Sequence, residues 1–368
     1  MRFNWQHEDW PDFRYDAKAL EALLFAFAEH SGRVGGLVDA LPVGRGSDAV
    51  LDVMIAEAMK TSAIEGEFLS RDDVMSSIRN HLGINQPKQR VPSRAAEGAG
   101  ALMVAVRKTY QQPLSPTMLF KWHRMLMLHD ASIATGTWRK GDTPMQVVSG
   151  RIDQPKVHFE APPSTSVPQE MARFIQWFNA SAPSGTQPLA PPPLRSAIAH
   201  LWFESIHPFE DGNGRIGRAV AEKALSQGLG RPAILSLSRA IAANRNAYYR
   251  ALEQAQRSNE ITPWLVYFVN MALQALLDAE HQITFILHKA KFFDRHQQCL
   301  SDRQTKALNR MFDAGPEGFE GGMNARKYAS LNKTSKATAT RDLQYLVQIG
   351  ALEPIGKGRS TAYALNLA

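Results

Sequence analysis

The stretch HPFEDGNGRIGR, residues 207 to 218, concentrates residue types that suit phosphate chemistry. Glycines at the point where a loop becomes a helix leave backbone N–H groups open to anionic oxygens, which the positive helix end also attracts. Arginines three residues apart share one helix face and can form forked hydrogen bonds to successive phosphates. The pattern predicts an anion nest at Gly212, Asn213 and Gly214 and phosphate ligands at Arg215 and Arg218.

Two further residues of this stretch add a metal ligand and a proton acceptor. Asp211 is a hard oxygen ligand beside the nest, suited to holding Mg²⁺ between the protein and the phosphates. His207 has an ordinary pKa of about 6.5, so its imidazole can take a proton from an attacking hydroxyl near neutral pH. Phe209 is expected to fix the loop by burial, and Pro208 by restricting His207.

Two other phosphate-binding motifs resemble parts of the chain, and their contexts exclude both. Gly212, Gly214 and Gly217 match the dinucleotide pattern GxGxxG, but that fingerprint needs a preceding strand and an acid about 20 residues later. Here a helix precedes the glycines, and the later segment is ILSLS. The C-terminal GKGRST lacks the upstream glycine spacing of a Walker loop.

Hydrophobic periodicity places the motif between two helices. A buried helix is predicted between Leu194 and Ile206, downstream of three prolines, and it delivers the chain to His207. A second helix begins inside the motif and runs to about Gln227, where glycines and a proline signal its end. The clearest strand signal, residues 145–159, predicts an exposed hairpin that turns at Ser149–Gly150.

Composition indicates a soluble globular chain of two or three domains. Its 368 residues are 44% hydrophobic and 21% charged, close to the averages for such proteins. One cysteine, Cys299, excludes a disulfide framework and a cysteine zinc site. The first residues lack the apolar run of a signal peptide, and no stretch is long enough to span a membrane. A cytoplasmic protein is therefore expected.

The last seventy residues indicate a separate basic module. From residue 323 onward there are seven Lys or Arg against two acids, part of a net charge of +7. A short helix, the turn NKTS and a helix from Ser335 to Ile349, followed by two short strands near Gly356 to Gly358, resemble a winged helix-turn-helix. Possible DNA contacts are Lys336, Thr340 and Arg341 in the groove and Lys357 and Arg359 on phosphate. A protein-docking surface is the alternative.

HPFEDGNGRIGR resembles the Fic family motif HxFx(D/E)GNGRxxR at every specified position. The resemblance extends from GTWR at residues 136–139 to NRNAYYRAL at residues 244–252. The resemblance implies transfer of AMP from ATP to a protein hydroxyl. It implies that His207 is the general base, that Asp211 is the Mg²⁺ ligand, and that the nest and the two arginines bind the triphosphate. It also implies that the 145–159 hairpin is a flap that holds a Tyr, Ser or Thr target segment, self-modification included. Tyr248 and Tyr249 are expected to line the base pocket, with a packed core as the alternative.

TSAIEGE, residues 61–67, resembles the inhibitory motif (S/T)xxxE(G/N) of one Fic class, matched here by Thr61, Glu65 and Gly66. A carboxylate that reaches Arg218 would form a forked salt bridge and occupy the arginine that the ATP γ-phosphate needs. Autoinhibition by Glu65 is therefore expected. In some relatives the same glutamate supports removal of AMP, so the reverse reaction stays open.

Together these patterns predict an all-α fold: a Fic-type helical core with a short β-hairpin flap, plus a C-terminal winged helix-turn-helix. The expected divisions are an N-terminal helical region with the inhibitory helix (1–95), the Fic core (96–285) and the winged helix (290–368). A DNA-binding regulator whose nucleotide site only senses its ligand is the competing function. The target protein, the nucleotide preference beyond ATP and the oligomeric state, a homodimer included, stay open.

Overall fold

The computed structural model describes residues 2–41, 45–127, 129–151, 154–356 and 361–367. The described residues are mainly helical, with two small antiparallel strand pairs, as the sequence predicts. The chain divides into two compact units. The first contains residues 1–32 and 50–277, and the second contains residues 33–49 and 278–368.

Helices on both sides of the motif in sequence lie wholly or mostly in the first unit. Their bounds are α1 (Glu21–Asp39), α2 (Arg45–Ile64), α3 (Arg71–Leu82), α4 (Arg94–Lys108), α5 (Pro116–Met127), α6 (Val167–Ala180), α7 (Pro192–Ile206), α8 (Asn213–Leu229), α9 (Leu237–Ala243) and α10 (Arg245–Ala255). The next helix, α11 (Thr262–His296), contains the boundary between the two units. Aromatic side chains form much of the first unit's core, among them Trp122, Phe174, Trp202, Phe203 and Phe209.

Helices α7 and α8 form the centre of the first unit, and local sequence explains where α7 begins and where α8 ends. Pro191 precedes α7 and Pro192 occupies its first turn, where a missing N–H costs nothing. Helix α8 ends at Gly230, whose φ of +68° lies in the left-handed region that glycine adopts without strain. Both predicted helices are thus present, with α8 two residues longer than expected.

The hairpin consists of β1 (Gln146–Arg151) and β2 (Gln154–Glu160), hereafter called the flap. The predicted turn at Ser149–Gly150 is wrong, because Ser149 pairs with Lys156 and the ladder continues to Arg151 and Gln154. Glycine can join an extended ladder, and only two positions separate Arg151 from Gln154 in sequence, the spacing that hairpins favour. The predicted exposure is present: Val147, Val148 and Val157 are all solvent-exposed.

The second unit contains α12 (Asp302–Phe312), α13 (Ala325–Asn332), α14 (Lys336–Gln348) and the strand pair β3 (Leu352–Ile355) and β4 (Ala362–Leu365). Ser335 caps α14 by accepting from Thr338 N at 3.1 Å. The buried side of α14 carries Leu343 and Leu346, which join a core with Leu308 and Tyr328. Of the helices in the described part of the chain, none combines the length and the apolar character that crossing a bilayer requires.

Candidate active site

His207 follows the last residue of α7 in an unusual backbone conformation. Its φ of +51° is left-handed, which costs a non-glycine residue roughly 1–3 kcal/mol and persists only where the surroundings impose it. Arg139 imposes it here: its Nε donates to the His207 carbonyl at 2.8 Å, and its backbone N–H donates to the Pro208 carbonyl at 2.9 Å. Phe209 is fully buried and stacks on His123 at 4.1 Å, as its predicted anchoring role requires.

The imidazole of His207 is mostly enclosed, with 18% of the side chain exposed. Burial, together with the charge of Arg139, lowers the pKa of His207 to about 4, so the expected pKa near 6.5 needs correction. Because the ring is neutral at pH 7, it can accept a proton. Among the described residues the buried Nδ1 atom of His207 has no hydrogen-bond partner.

Glu204, one turn before His207, is an acid that sequence reasoning missed. Its carboxyl is 5% exposed, and Oε2 lies 3.9 Å from His207 Nδ1. Burial raises the pKa of Glu204 to about 8, so the carboxyl is protonated at neutral pH. The sequence signal for it was the position of an acid, Glu204, within the predicted buried helix between Leu194 and Ile206.

The N-terminus of α8 offers backbone donors, as the glycine-rich motif predicts. Gly212 precedes α8 with φ +78°, and no side chain caps the helix. The Gly212 N–H donates to Asp211 Oδ1 at 2.6 Å, and the Asn213 side chain closes the loop by pairing with both backbone polar groups of Phe209. The first-turn N–H groups of Asn213 and Gly214 therefore remain as the donors for an anion.

Arg218 contacts the end of α2 through three hydrogen bonds. Its guanidinium donates to Thr61 Oγ1 at 2.7 Å, to the Thr61 carbonyl at 3.0 Å and to Glu65 Oε1 at 2.7 Å. Arg218 is 2% exposed, and although burial opposes its charge, Glu65 keeps the pKa of Arg218 above its ordinary value. Two motifs separated by more than 150 positions thus meet, as the inhibitory motif predicts. The expected forked salt bridge is wrong, however: Arg218 Nη2 makes a single bond to Glu65, because Nε donates to Thr61.

The Glu65 carboxylate also lies against the N-terminus of α8. A Cβ on Gly214 would overlap Glu65 Oε1 and would approach Arg218 Nη1 to 3.1 Å, so a larger residue here would have to displace the carboxylate. Gly66, with φ +86°, turns the chain immediately after Glu65. The glutamate therefore occupies a place where helix N–H groups and an arginine both favour an anion.

A second carboxylate, Glu67, binds the other arginine of the motif, and sequence reasoning missed it. Arg215 Nη1 donates to Glu67 Oε2 at 2.8 Å, and Glu67 Oε1 lies 3.3 Å from His129 Nε2. Arg215 is 5% exposed. One sequence signal could have indicated this pair. The acids of EGE are two residues apart and the arginines of RIGR are three apart, so both acids can reach an arginine.

One cavity of about 830 Å³ brings these groups together. Tyr248 is 1% exposed and its hydroxyl pairs with His200 Nε2 at 2.7 Å, so it is both a packed core residue and part of the cavity wall. Tyr249 is half-buried, with the Arg245 guanidinium 5.4 Å above its ring. The lining includes Glu65, Glu204, His207, Asp211, Asn213, Gly214, Arg218, Tyr248, Tyr249, and Val147 and Val148 of the flap.

The described residues contain no group of three acidic, histidine or cysteine side chains placed to bind a metal by themselves. Asp211 has 59% of its side chain exposed, and its Oδ2 lies 3.8 Å from Arg215. A single accessible carboxylate fits Mg²⁺, which commonly uses one or two carboxylates together with substrate phosphates and water.

The predicted DNA-contact residues belong to the second unit. Lys336 and Arg341 are exposed on α14, while the Thr340 hydroxyl donates to the Lys336 carbonyl at 2.9 Å. Lys357 and Arg359 lie outside the described residues. Two of the predicted DNA-contact residues are therefore exposed cations of α14.

Comparison with known families assigns the central part of this architecture. Residues 113–225 match the family described as "Fic/DOC family", so the chain carries a Fic/DOC-family domain, and the predicted resemblance is confirmed. Residues 3–84 match a model described as "Domain of unknown function (DUF4172)". The motif between α7 and α8 lies inside the Fic/DOC match.

Individual relatives agree with this assignment. The chain is 23% identical over 236 residues to a protein adenylyltransferase Fic of Drosophila ananassae, covering 62% of this chain and 43% of the relative. It is 25% identical over 268 residues to one of Drosophila mojavensis, covering 70% and 47%. The chain thus spans less than half the length of these relatives. A crystal structure of a Fic family protein from Desulfovibrio desulfuricans shares the fold, with a TM-score of 0.56, 23% identity, and 95% and 96% of the two chains covered.

Proposed function

We propose that the protein transfers AMP from ATP to a Tyr, Ser or Thr hydroxyl of target proteins, itself included, and that Glu65 inhibits the transfer. One observation carries the proposal: a carboxylate rests on the N-terminus of α8 and on Arg218, where an anionic ligand would bind, in the cavity that contains His207. The names of the curated relatives, protein adenylyltransferase Fic, support the same reaction.

In the proposed reaction the target hydroxyl oxygen attacks the α-phosphorus of ATP as His207 takes the hydroxyl proton. The new oxygen–phosphorus bond forms as the bond to the β-phosphate bridging oxygen breaks, and pyrophosphate leaves. The N–H groups of Asn213 and Gly214 and the two arginines hold the phosphate oxygens in fixed positions. Catalysis then comes chiefly from position and charge, as in other phosphoryl transfers.

Asp211 would hold Mg²⁺ through its accessible carboxylate, shared with the phosphates. When bound, the ion supplies positive charge to the departing pyrophosphate. Asp211 also keeps its Oδ1 on the Gly212 N–H, which orients the carboxylate toward the start of α8.

The flap would hold the acceptor segment by backbone pairing. Val147 and Val148 of β1 are exposed and line the cavity that contains His207. In the described residues β1 pairs with β2 on one side, which leaves its other edge with backbone donors and acceptors for an added strand. Because backbone pairing does not depend on side chains, it can position the hydroxyl of targets that differ in sequence.

Labelled ATP and Mg²⁺ test this proposal on the wild type, Glu65→Gly and His207→Ala. We expect labelled protein to accumulate faster with Glu65→Gly and to be absent with His207→Ala. Equal labelling by wild type and His207→Ala would contradict the role of the imidazole. Removal of AMP from a labelled protein by the wild type, lost with Glu65→Gly, would instead assign Glu65 to the reverse reaction.

We also propose that the second unit binds DNA, as a winged helix-turn-helix whose recognition helix is α14. The supporting observation is that Lys336 and Arg341 are exposed on α14 while Leu343 and Leu346 of the same helix are buried in that unit's core. We expect a salt-dependent gel shift with duplex DNA that Lys336→Gln/Arg341→Gln weakens. A shift that neither salt nor these changes affect would exclude this surface.

A further inference from the structure

The first described residues of the chain pack against α7 and the flap. Asn4 is fully buried, its Nδ2 donates to Ser205 Oγ at 2.9 Å, and its backbone N–H donates to the Gln256 carbonyl at 2.8 Å. Ser205 lies two residues before His207 near the end of α7. The N-terminal segment is therefore tied directly to the helix that presents the imidazole.

The next residue contacts the end of the flap. Trp5 Nε1 donates to the Glu160 carbonyl, the last residue of β2, at 2.7 Å. On the other side of Asn4, the Phe3 ring packs edge-on against the Phe159 ring at 5.1 Å, and Phe159 is 1% exposed. Three consecutive N-terminal residues thus join α7 to β2.

The same part of β2 is held from the region of α10. Arg257 Nη2 donates to the His158 carbonyl at 2.7 Å, and its guanidinium lies 4.4 Å from the Phe3 ring centre. The His158 ring pairs with Glu253 Oε2 at 3.0 Å. Residues 158–160 are therefore anchored one after another, whereas Val148 across the ladder is 51% exposed.

We propose that residues Phe3–Trp5 fix the position of the flap relative to His207. This inference rests on the proposed function for its meaning. Asn4 is bonded to Ser205 of α7. Its two chain neighbours, Phe3 and Trp5, contact Phe159 and Glu160 of β2, so the segment holds β2 at a fixed distance from α7. Trp5 and Phe3 are positioning residues, because they touch the flap rather than ATP. The proposal gives a role to the start of the region described as a domain of unknown function.

Trp5→Phe tests this inference, with Trp10→Phe as its matched control. Both variants keep an aromatic ring and lose one indole N–H of the N-terminal segment, but Trp10 donates to Glu170 of α6 at 2.9 Å, not to the flap. Both are made in the Glu65→Gly variant of the 368-residue chain. Hydrogen–deuterium exchange is measured for peptides covering residues 156–160, and self-modification is followed by intact mass over a range of ATP concentrations.

We expect Trp5→Phe to speed exchange in the flap roughly fivefold, the equivalent of one typical hydrogen bond, and to slow self-modification several-fold. The KM for ATP should equal that of the Glu65→Gly parent, whereas a general structural defect would change the KM as well. Trp10→Phe should leave flap exchange as in the parent. Unchanged exchange with Trp5→Phe, or equal effects of both variants, would overturn the inference.

The exchange arm separates failure of this inference from failure of the proposed function. If the Glu65→Gly parent adds no adenylate, the proposed function fails, and flap exchange still decides whether Trp5 positions the flap. If the parent modifies itself and Trp5→Phe does so equally fast, the inference fails while the proposed function stands.

Discussion

Removing the Glu65 carboxylate should release Arg218 for the triphosphate. The bond between them is charge-assisted and 2.7 Å long, and Arg218 is 2% exposed. Hydrogen bonds to charged groups contribute about 1.5–3 kcal/mol, and under the proposed inhibition productive ATP binding breaks this one. The corresponding gain in transfer rate at low ATP is about ten- to 150-fold. Because the Glu65 side chain is 30% exposed, screening places the effect toward the lower end.

Initial rates of AMP transfer by wild type, Glu65→Gln and Glu65→Gly measure this gain. The glutamine keeps an oxygen that can accept from Arg218 but carries no charge, so it should fall between the other two. Without nucleotide, Glu65→Gly should unfold at a lower temperature than wild type, because a buried guanidinium has lost its counter-charge. ATP with Mg²⁺ should restore much of the loss. A Glu65→Gly rate at or below wild type at every ATP concentration would refute the reasoning.

The remaining predictions concern the other groups around the cavity. Adding Glu67→Gln to Glu65→Gly should raise transfer again by up to about tenfold, because it frees Arg215; a drop would mean that Glu67 orients Arg215 productively. His207→Ala should lose at least about 100-fold in rate while ATP titration calorimetry still reports binding. Since the imidazole is neutral above its pKa of about 4, transfer should lose no rate to His207 between pH 5.5 and 7.5 and should fall as pH approaches 4; a midpoint at pH 6.5 would contradict this. The pKa of Glu204 is raised to about 8, so the folded state holds its proton more tightly than the unfolded state. The unfolding free energy of wild type relative to Glu204→Gln should therefore decrease from pH 4.5 to pH 8, as chemical denaturation would show.

Much of the fold could be predicted because its signals are local. Apolar spacing and prolines locate α7, and glycines mark both ends of α8. The resemblance to the Fic family rested on the twelve residues 207–218, and the family match over residues 113–225 confirms it. The hairpin turn was misplaced because Ser149–Gly150 satisfies local turn preferences, while the pairing of whole strands decides the register.

The environment of the candidate site could not be predicted, because it depends on contacts between distant segments. The pKa of His207 follows from burial and from Arg139, which is 68 positions away. Glu67 and Arg215 are 148 positions apart, and the spacing of EGE against RIGR indicates their pairing only once Glu65 is known to contact Arg218. Glu204 is adjacent to the motif, but an isolated glutamate is ordinarily a solvated residue, and only its burial in the fold gives it a raised pKa.

Intact-mass analysis of Glu65→Gly after incubation with ATP and Mg²⁺, beside Glu65→Gly/His207→Ala, measures whether AMP is transferred and whether the transfer needs the imidazole. We expect the first protein to gain the mass of one or more adenylates and the second to gain none. A gain of phosphate alone, or an adenylate gain that persists without His207, would contradict a triphosphate held on α8 beside a neutral imidazole base.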